Sequence, residues 1–215
     1  MDERRSAAVA TKYLSLAMVG VGVAYVLLIA SGLATAEPGT GRIRDPIRIL
    51  MELVTMVAGL FLMALGAALH HLVDRSKRLL TLLGVLFLAA CGTVTCGVHF
   101  VSLTVAEPLL RANSSLEPLL TLGWPTVPMS LDILAWDFFF GLGFLFLGWA
   151  LLGTGGRTAG AVMVASGVLS IAGLVALPLG NMGVRFIGVF GYTVLPVVAC
   201  GLLVRFAVRE AARDS

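Results

Sequence analysis

Six stretches of this chain are long and nearly free of charged residues, and each exceeds twenty residues. An α-helix needs about 20 apolar residues to cross the hydrocarbon core of a bilayer, because each residue advances the helix by about 1.5 Å. The six stretches therefore predict six membrane-spanning helices. They cover approximately residues 13–36, 48–72, 79–105, 130–152, 158–178 and 184–206.

The composition points to the same class of protein. Hydrophobic residues make up 59% of the 215 residues and charged residues only 13%, whereas a soluble domain carries about 25% charged residues. Little sequence remains outside the apolar stretches, which excludes a separate soluble catalytic or nucleotide-binding module. We expect an all-α polytopic transmembrane bundle that forms a single domain over residues 1–215.

The distribution of basic residues predicts the orientation of the bundle. Six helices place both termini on one side, and ten of the fifteen basic residues fall on that side. The ten are Arg4, Arg5, Lys12, Arg75, Lys77, Arg78, Arg157, Arg205, Arg209 and Arg213, and the others are Arg42, Arg44, Arg48, Arg111 and Arg185. Because cytoplasmic loops are enriched in Lys and Arg, this bias favours cytoplasmic termini. We expect these charges to contact anionic membrane lipids, and the net charge of +3 requires no nucleic acid as a partner.

The longest connection covers residues 106–129 and lies on the outer side in this orientation. Its middle, Leu116 to Trp124, is apolar enough to lie along the membrane interface as a short helix anchored by Trp124. A cap over the bundle and a strap packed on the helix ends are both compatible with this pattern.

Histidines and cysteines do not occur at the spacings of a metal site. The chain has neither a CxxC motif nor a Cys/His zinc pattern. His70 and His71 have no evident partners in the sequence for a haem or a metal ion. We therefore expect no metal and no cofactor.

Asp137 is the strongest indication of a functional site. It lies about two turns inside the fourth apolar stretch, where a carboxylate is costly unless it is protonated, paired or facing a hydrated cavity. His99 lies in the last two turns of helix 3, in the same half of the bilayer. We predict that Asp137 and His99 form an inner acid/base pair. A structural hydrogen-bonding role for Asp137 is the alternative.

Further polar or aromatic residues fall in the same half of the membrane and are expected to bind a ligand. They are Glu52, Asp132, Trp136, Asn181, Arg185 and Tyr192. On an ideal helix Asp132 shares a face with Trp136 and points about 140° away from Asp137, which predicts Asp132 at the rim of a pocket. Arg185 and Asn181 are expected to hold a polar head group. Plainer roles are open: Arg185 as a snorkelling residue, and Glu52 neutralised by Arg48 one turn earlier.

Several segments in the second half of the chain carry a resemblance. They are GVHFVSLTV from Gly97 to Val105, Trp124-Pro125, LDILAWDFFF from Leu131 to Phe140, SGVLSIAG from Ser166 to Gly173, and then Asn181-Met182, Arg185, Ile187-Gly188 and Gly191-Tyr192. Together they resemble uncharacterised six-helix bacterial membrane proteins. The resemblance covers most of the chain after residue 90 and implies a six-helix fold in a bacterial cytoplasmic membrane. It implies no activity and no catalytic residue.

The residues leave three functions open. The first is a pocket in the outer half of the bundle that binds a small amphiphilic or lipid-like molecule, with acid/base chemistry such as isomerisation or cyclisation. The second is a proton-coupled small-molecule transporter that works as a homo-oligomer. The third is a non-catalytic subunit that docks another membrane protein through small residues of helices 1 and 5. Confinement of the polar residues to one leaflet favours the pocket over a conduction path.

Overall fold

The computed structural model describes residues 3–37 and 43–213. Within these ranges the chain forms six helices long and apolar enough to cross a membrane, and it contains no strand. The helices are α1 (Glu3–Ala34), α2 (Ile47–Leu72), α3 (Arg75–Ala106), α4 (Val127–Leu152), α5 (Arg157–Leu179) and α6 (Phe186–Ala212). The prediction of an all-α, six-helix bundle is confirmed, and six such helices indicate an integral membrane protein. Arg42, one of the charges used for the orientation, lies outside the described residues.

The helix boundaries differ most from the prediction at the two ends of the chain. Helix α1 begins ten residues before the predicted start at 13, and α6 continues six residues past 206. Tertiary contacts explain both extensions. Ala8 is buried against the bundle, and Arg4 Nη2 lies 2.8 Å from Glu210 Oε2. This ion pair also brings the first turn of α1 and the last turns of α6 together at one end of the bundle, which we call the terminal end.

The six helices pack in a ring. Each spanning helix packs against its neighbours in sequence, and α1 closes the ring by packing against α6. The segment of α4 that contains Asp137 also contacts α6. Helix α5 packs against both α4 and α6 and therefore lies on the outer side of their contact. This arrangement leaves α1, α2, α3, α4 and α6 around the interior. The candidate site lies between these five helices.

Glycines bring neighbouring helices into close contact. A Cβ atom at Gly148 of α4 would lie 2.7 Å from the carbonyl oxygen of Gly160 of α5, and a Cβ at Gly160 would lie 2.7 Å from that of Gly148. Larger residues at these two positions would force the helices apart. Such close approach matters in lipid, because burial of apolar surface gives no driving force for helices to associate there.

Two spanning helices contain π-helical segments. In α3 the segment Ser102–Ala106 follows closely after His99, and in α4 the segment Leu134–Phe139 contains Trp136 and Asp137. Both lie in the half of the bundle away from the terminal end. A π-helix bonds residue i to i+5 instead of i+4, so the side-chain directions of an ideal α-helix do not hold there. Such segments often occur at functional sites.

The connection between α3 and α4 is partly helical. It contains two short helices, Glu107–Ala112 and Glu117–Leu120, separated by a 3₁₀ turn at Ser114–Leu116. The predicted helix from Leu116 to Trp124 thus ends early, at Leu120. The side chains of Leu119 and Trp124 are exposed. That this connection lies along the membrane interface stays a prediction.

Candidate functional site

A cavity of about 110 Å³ lies between five of the spanning helices, in the half of the bundle away from the terminal end. Its apolar wall includes Met18, Val21, Val54, Ala58, Leu62 and Val197. Its polar and aromatic wall includes Tyr25, Thr55, His99, Asp132, Trp136, Phe140 and Tyr192. One water molecule needs about 10–15 Å³ of such space. The cavity therefore has room for a molecule larger than a single water.

His99 lies between two carboxylates without bonding to either. Its Nε2 is 3.6 Å from Asp132 Oδ1, and its Nδ1 is 4.0 Å from Glu52 Oε2. Both distances exceed those of a hydrogen bond. The residue is only 7% exposed, and neither ring nitrogen has a hydrogen-bond partner among the described residues. We call Glu52, His99 and Asp132 the histidine cluster. Buried polar atoms normally have partners, so the ring nitrogens of His99 have hydrogen-bonding capacity that the described residues do not use.

Arg48 holds one side of the histidine cluster. Its Nη1 donates a 2.8 Å hydrogen bond to Glu52 Oε1, and its Nε donates a 3.0 Å hydrogen bond to Asp45 Oδ1. The four-residue spacing places Arg48 and Glu52 on neighbouring turns of α2, and the prediction that Arg48 neutralises Glu52 is confirmed. Arg48 leaves Oε2 of Glu52 to face His99.

Asp137 belongs to a second and separate group. The residue is fully buried, and its Oδ2 accepts hydrogen bonds from Arg185 Nη2 at 3.0 Å and from Arg185 Nε at 3.3 Å. Arg185 Nη2 also donates to the hydroxyl of Tyr192 at 3.1 Å. We call Asp137, Arg185 and Tyr192 the arginine cluster. Arg185 lies in the turn just before α6, so the arginine cluster ties α4 to the start of α6 through a charge-assisted contact, which is stronger than a neutral hydrogen bond.

Two glycines make room for the carboxylate of Asp137. A Cβ atom at Gly173 of α5 or at Gly188 of α6 would collide with Asp137 Oδ1. A Cβ at Gly188 would also lie 3.0 Å from Gly173 Cα. Because three helices meet at this carboxylate, only glycine leaves enough space at both positions. Asp137 Oδ1 has no hydrogen-bond partner in the described part of the chain.

The structure pairs these residues differently from the sequence-based prediction. Asp137 bonds to Arg185 and does not line the cavity, so it does not form the expected inner pair with His99. Asp132, expected at the rim, lines the cavity beside His99. Positions on a helix show that the two carboxylates point in different directions, but not which neighbour each one meets. The π-helical segment adds to the error, because it changes the direction of Asp137.

Arg185 and Asn181, which were expected to hold a polar head group, make other contacts in the structure. Arg185 is 7% exposed and is occupied by Asp137 and Tyr192, so it is not a snorkelling residue. Asn181 is exposed in the turn before α6, where its Oδ1 accepts a 3.0 Å hydrogen bond from the backbone N–H of Gly183. Neither residue lines the cavity.

Aromatic side chains complete the polar wall. The ring centroids of Trp136 and Tyr192 are 5.8 Å apart, as are those of Trp136 and Phe140. Tyr25 of α1 also lines the cavity, and the sequence-based prediction missed it. Its signal was a tyrosine inside an apolar helix, since a buried tyrosine hydroxyl usually needs a partner inside the bundle.

The arrangement suits hydrogen bonding and proton transfer. An imidazole and a carboxylate with 3.6 Å between Nε2 and Oδ1 can both exchange a proton with a group that contacts them from the cavity. Over residues 3–37 and 43–213, no group of three His, Cys, Asp or Glu side chains is placed to hold a metal ion.

Comparisons of the chain with protein-family models, with curated proteins and with solved structures returned no match. The functional assignment therefore rests on the residues of this chain.

Proposed function

We propose that this protein binds a small amphiphilic or lipid-like molecule in the cavity and performs acid/base chemistry on it. The observation that carries the proposal is His99, a buried imidazole that lines the cavity, lies beside Asp132 and has no hydrogen-bond partner among the described residues. A bound polar group would supply the missing partner.

The change in polarity along the cavity supports an amphiphile. On α4 the lining passes from Asp132 through Trp136 to Phe140, about one turn at a time towards the middle of the bundle. On α2 it reaches Leu62 at a similar depth. A head group would lie beside Asp132 and His99, and an apolar part would lie against the deeper residues. Mostly apolar walls with a few polar groups are typical of small-molecule sites.

The two clusters have different roles in this proposal. His99 and Asp132 are the groups that would exchange a proton with the bound molecule. Asp137 and Arg185 are positioning residues, because they fix α4 to α6 and hold Tyr192 at the cavity wall. Isomerisation or cyclisation fits this chemistry better than hydrolysis. Ser166, one candidate nucleophile, is buried and donates a 2.6 Å hydrogen bond to the carbonyl oxygen of Gly191.

A bulky residue in the cavity tests the binding part of the proposal. Ala58 lines the cavity, whereas Ala67 is exposed on the same helix. We expect native mass spectrometry to detect a small molecule with the wild-type protein and with Ala67→Phe, and to detect less of it with Ala58→Phe. Equal amounts with all three proteins would contradict the proposal.

Conservative changes in the histidine cluster test the chemical part. We expect His99→Gln to keep the bound molecule but to shift the ratio of two related small molecules in membrane extracts, measured by chromatography and mass spectrometry. Isomers have equal mass and separate by retention time. Identical extracts from wild-type and His99→Gln membranes would contradict the proposed acid/base chemistry and leave the proposed binding unaffected.

Proton-coupled transport is the second candidate, and a stripe on α1 favours it. Thr11, Ser15, Met18 and Gly22 share one face by their spacing, and Met18 and Gly22 line the cavity. Thr11 and Ser15 are buried and their hydroxyls have no partner among the described residues, so they extend a polar line towards the terminal end. Transport predicts proton uptake into proteoliposomes that Ser15→Ala reduces. Uptake equal to that of empty liposomes would exclude it.

The location of the protein is also part of the proposal. We place it in a bacterial cytoplasmic membrane with both termini in the cytoplasm, on the strength of the basic residues and the resemblance. Ser76 in the first turn of α3 and Ser115 in the connection between α3 and α4 are exposed at opposite ends of the bundle. A membrane-impermeant maleimide added to intact cells should label Ser115→Cys and not Ser76→Cys. The reverse pattern would invert the orientation.

A further inference from the structure

Among the described residues, no arginine or lysine lines the cavity beside the carboxylate of Asp132. The two nearby arginines are occupied, since Arg48 bonds to Asp45 and Glu52, and Arg185 bonds to Asp137. The ionisable group that the structure places against the Asp132 carboxylate is the ring of His99, with 3.6 Å between Nε2 and Oδ1. An anionic head group in this cavity would be repelled by Asp132.

His99 Nε2 and Asp132 Oδ1 lie close enough to share one hydrogen-bond donor. We place the ring hydrogen on Nδ1, the nitrogen that faces Glu52 Oε2. Nε2 is then an acceptor, and it faces Asp132 Oδ1, a second acceptor, across 3.6 Å. Two acceptors at this distance are satisfied by a group from the cavity that carries at least two hydrogens. A protonated primary amine meets this requirement and also balances the charge of Asp132.

Aromatic rings beside this gap favour a cation. Trp136, Tyr192, Tyr25 and Phe140 all line the cavity. The faces of aromatic rings attract organic cations, with Trp the strongest, and the attraction grows when water is excluded. A carboxylate together with several aromatic rings is a combination that recognises an organic ammonium group.

We infer that the bound amphiphile carries a protonated amine, which donates hydrogen bonds to Asp132 Oδ1 and His99 Nε2 and lies against Trp136 and Tyr192. The inference rests on the proposed binding of an amphiphile in the cavity and names its head group. The volume of about 110 Å³ suits an ammonium group on a short apolar body, and a longer tail would extend out of the cavity.

Tryptophan fluorescence can test the inference with three probes of equal chain length. The chain has three tryptophans, and the replacements Trp124→Phe and Trp149→Phe remove two that are exposed, leaving Trp136 at the cavity. The protein is placed in phosphatidylcholine nanodiscs at pH 7 and titrated with hexylamine, hexanol or hexanoate. Empty nanodiscs correct for partitioning into lipid. We expect hexylamine to bind at least about tenfold more tightly than either other probe, since hydrogen bonds to a charged group contribute this much.

A variant locates the contact. In the single-tryptophan protein, Asp132→Asn should weaken hexylamine binding about tenfold and leave hexanol binding unchanged. Glu117→Gln removes an exposed carboxylate from the connection between α3 and α4, and should change neither affinity. The comparison of the three probes uses the protein with native Asp132. It therefore tests the inference even if Asp132→Asn does not fold.

The outcomes separate the two proposals. Hexanol or hexanoate binding as tightly as hexylamine would overturn the amine and leave the proposed cavity binding in place, because a water between Asp132 and His99 would then suffice. Absence of a saturable signal with all three probes would overturn both. An Asp132→Asn protein that binds hexylamine normally would place the amine elsewhere and also overturn the inference.

Discussion

The histidine cluster and the arginine cluster lie in the same half of the bundle and are built in opposite ways. In the arginine cluster, Asp137 accepts hydrogen bonds at 3.0 and 3.3 Å and is sealed between two glycines. In the histidine cluster, His99 is 3.6 Å and 4.0 Å from its two carboxylates and faces a cavity. The first is a closed ion pair, and the second has unused hydrogen-bonding capacity.

The difference between the clusters shows that a carboxylate buried deep in the bundle is not necessarily the one that is available to a ligand. Asp137 is the deepest carboxylate of the described residues in α4, and depth alone made it the strongest functional candidate. Arg185 offsets the cost of this charge in a bilayer, so the burial of Asp137 does not require a ligand. His99 and Asp132, the groups available to a ligand, lie closer to the membrane surface and make no hydrogen bond to each other.

The contrast between the clusters predicts the greatest loss of stability at Arg185. Arg185→Gln leaves Asp137 buried without its cation, and we expect a loss of about 3–5 kcal/mol in the free energy of unfolding. Arg157→Gln removes an exposed arginine and should cost far less. Unfolding in mixed micelles, followed by circular dichroism, measures both.

A double variant tests whether the unpaired charge causes this loss. Asp137→Asn combined with Arg185→Gln removes both charges and should recover part of the stability that Arg185→Gln loses, because the unpaired charge is gone. If Arg185→Gln were as stable as Arg157→Gln, the arginine cluster could not be called structural.

A medium effect is expected at Gly188. In Gly188→Ala the new methyl group meets Asp137 Oδ1 and the backbone of Gly173, and we expect a loss of about 1–3 kcal/mol. Gly201 lies on the same helix, and a Cβ atom added there would have no neighbouring atom within 4 Å among the described residues. Gly201→Ala should leave stability unchanged or raise it by up to about 1 kcal/mol, because alanine favours helix. Equal losses in both variants would rule out tight packing around Asp137.

The weakest effect on stability is expected in the histidine cluster. His99 makes no hydrogen bond in the described part of the chain, so His99→Gln should change the free energy of unfolding by less than about 1 kcal/mol. The same holds for Asp132→Asn, although that variant should lose hexylamine binding. A loss of about 3 kcal/mol or more in either variant would make the histidine cluster as structural as the arginine cluster.

The residues of the cavity were partly predictable from the sequence. His99, Asp132, Trp136 and Tyr192 were all placed in the polar group, and all four line the cavity. Depth along a helix follows from residue count at about 1.5 Å per residue, so residues in the same half could be found. Their partners could not, because a partner depends on how helices are rotated and how closely they approach.

Tyr25 lines the cavity but was not predicted, because its place in the bundle depends on helix packing. It lies on α1, where its neighbours along the chain are apolar. The packing of α1 against α2 and α6 brings Tyr25 to the cavity that Tyr192 also lines.

The number of spanning helices and, for most of them, the positions of their ends followed from the amino-acid sequence without any structure. The physical reason is local: in a bilayer every backbone polar group must be hydrogen-bonded within the protein, and a helix achieves this within one continuous apolar stretch of about 20 residues. That Asp137 meets Arg185 and that His99 meets Asp132 became evident only from the packed bundle. Those pairings depend on glycine contacts between helices and on the π-helical segment Leu134–Phe139, and neither follows from counting residues along a regular helix.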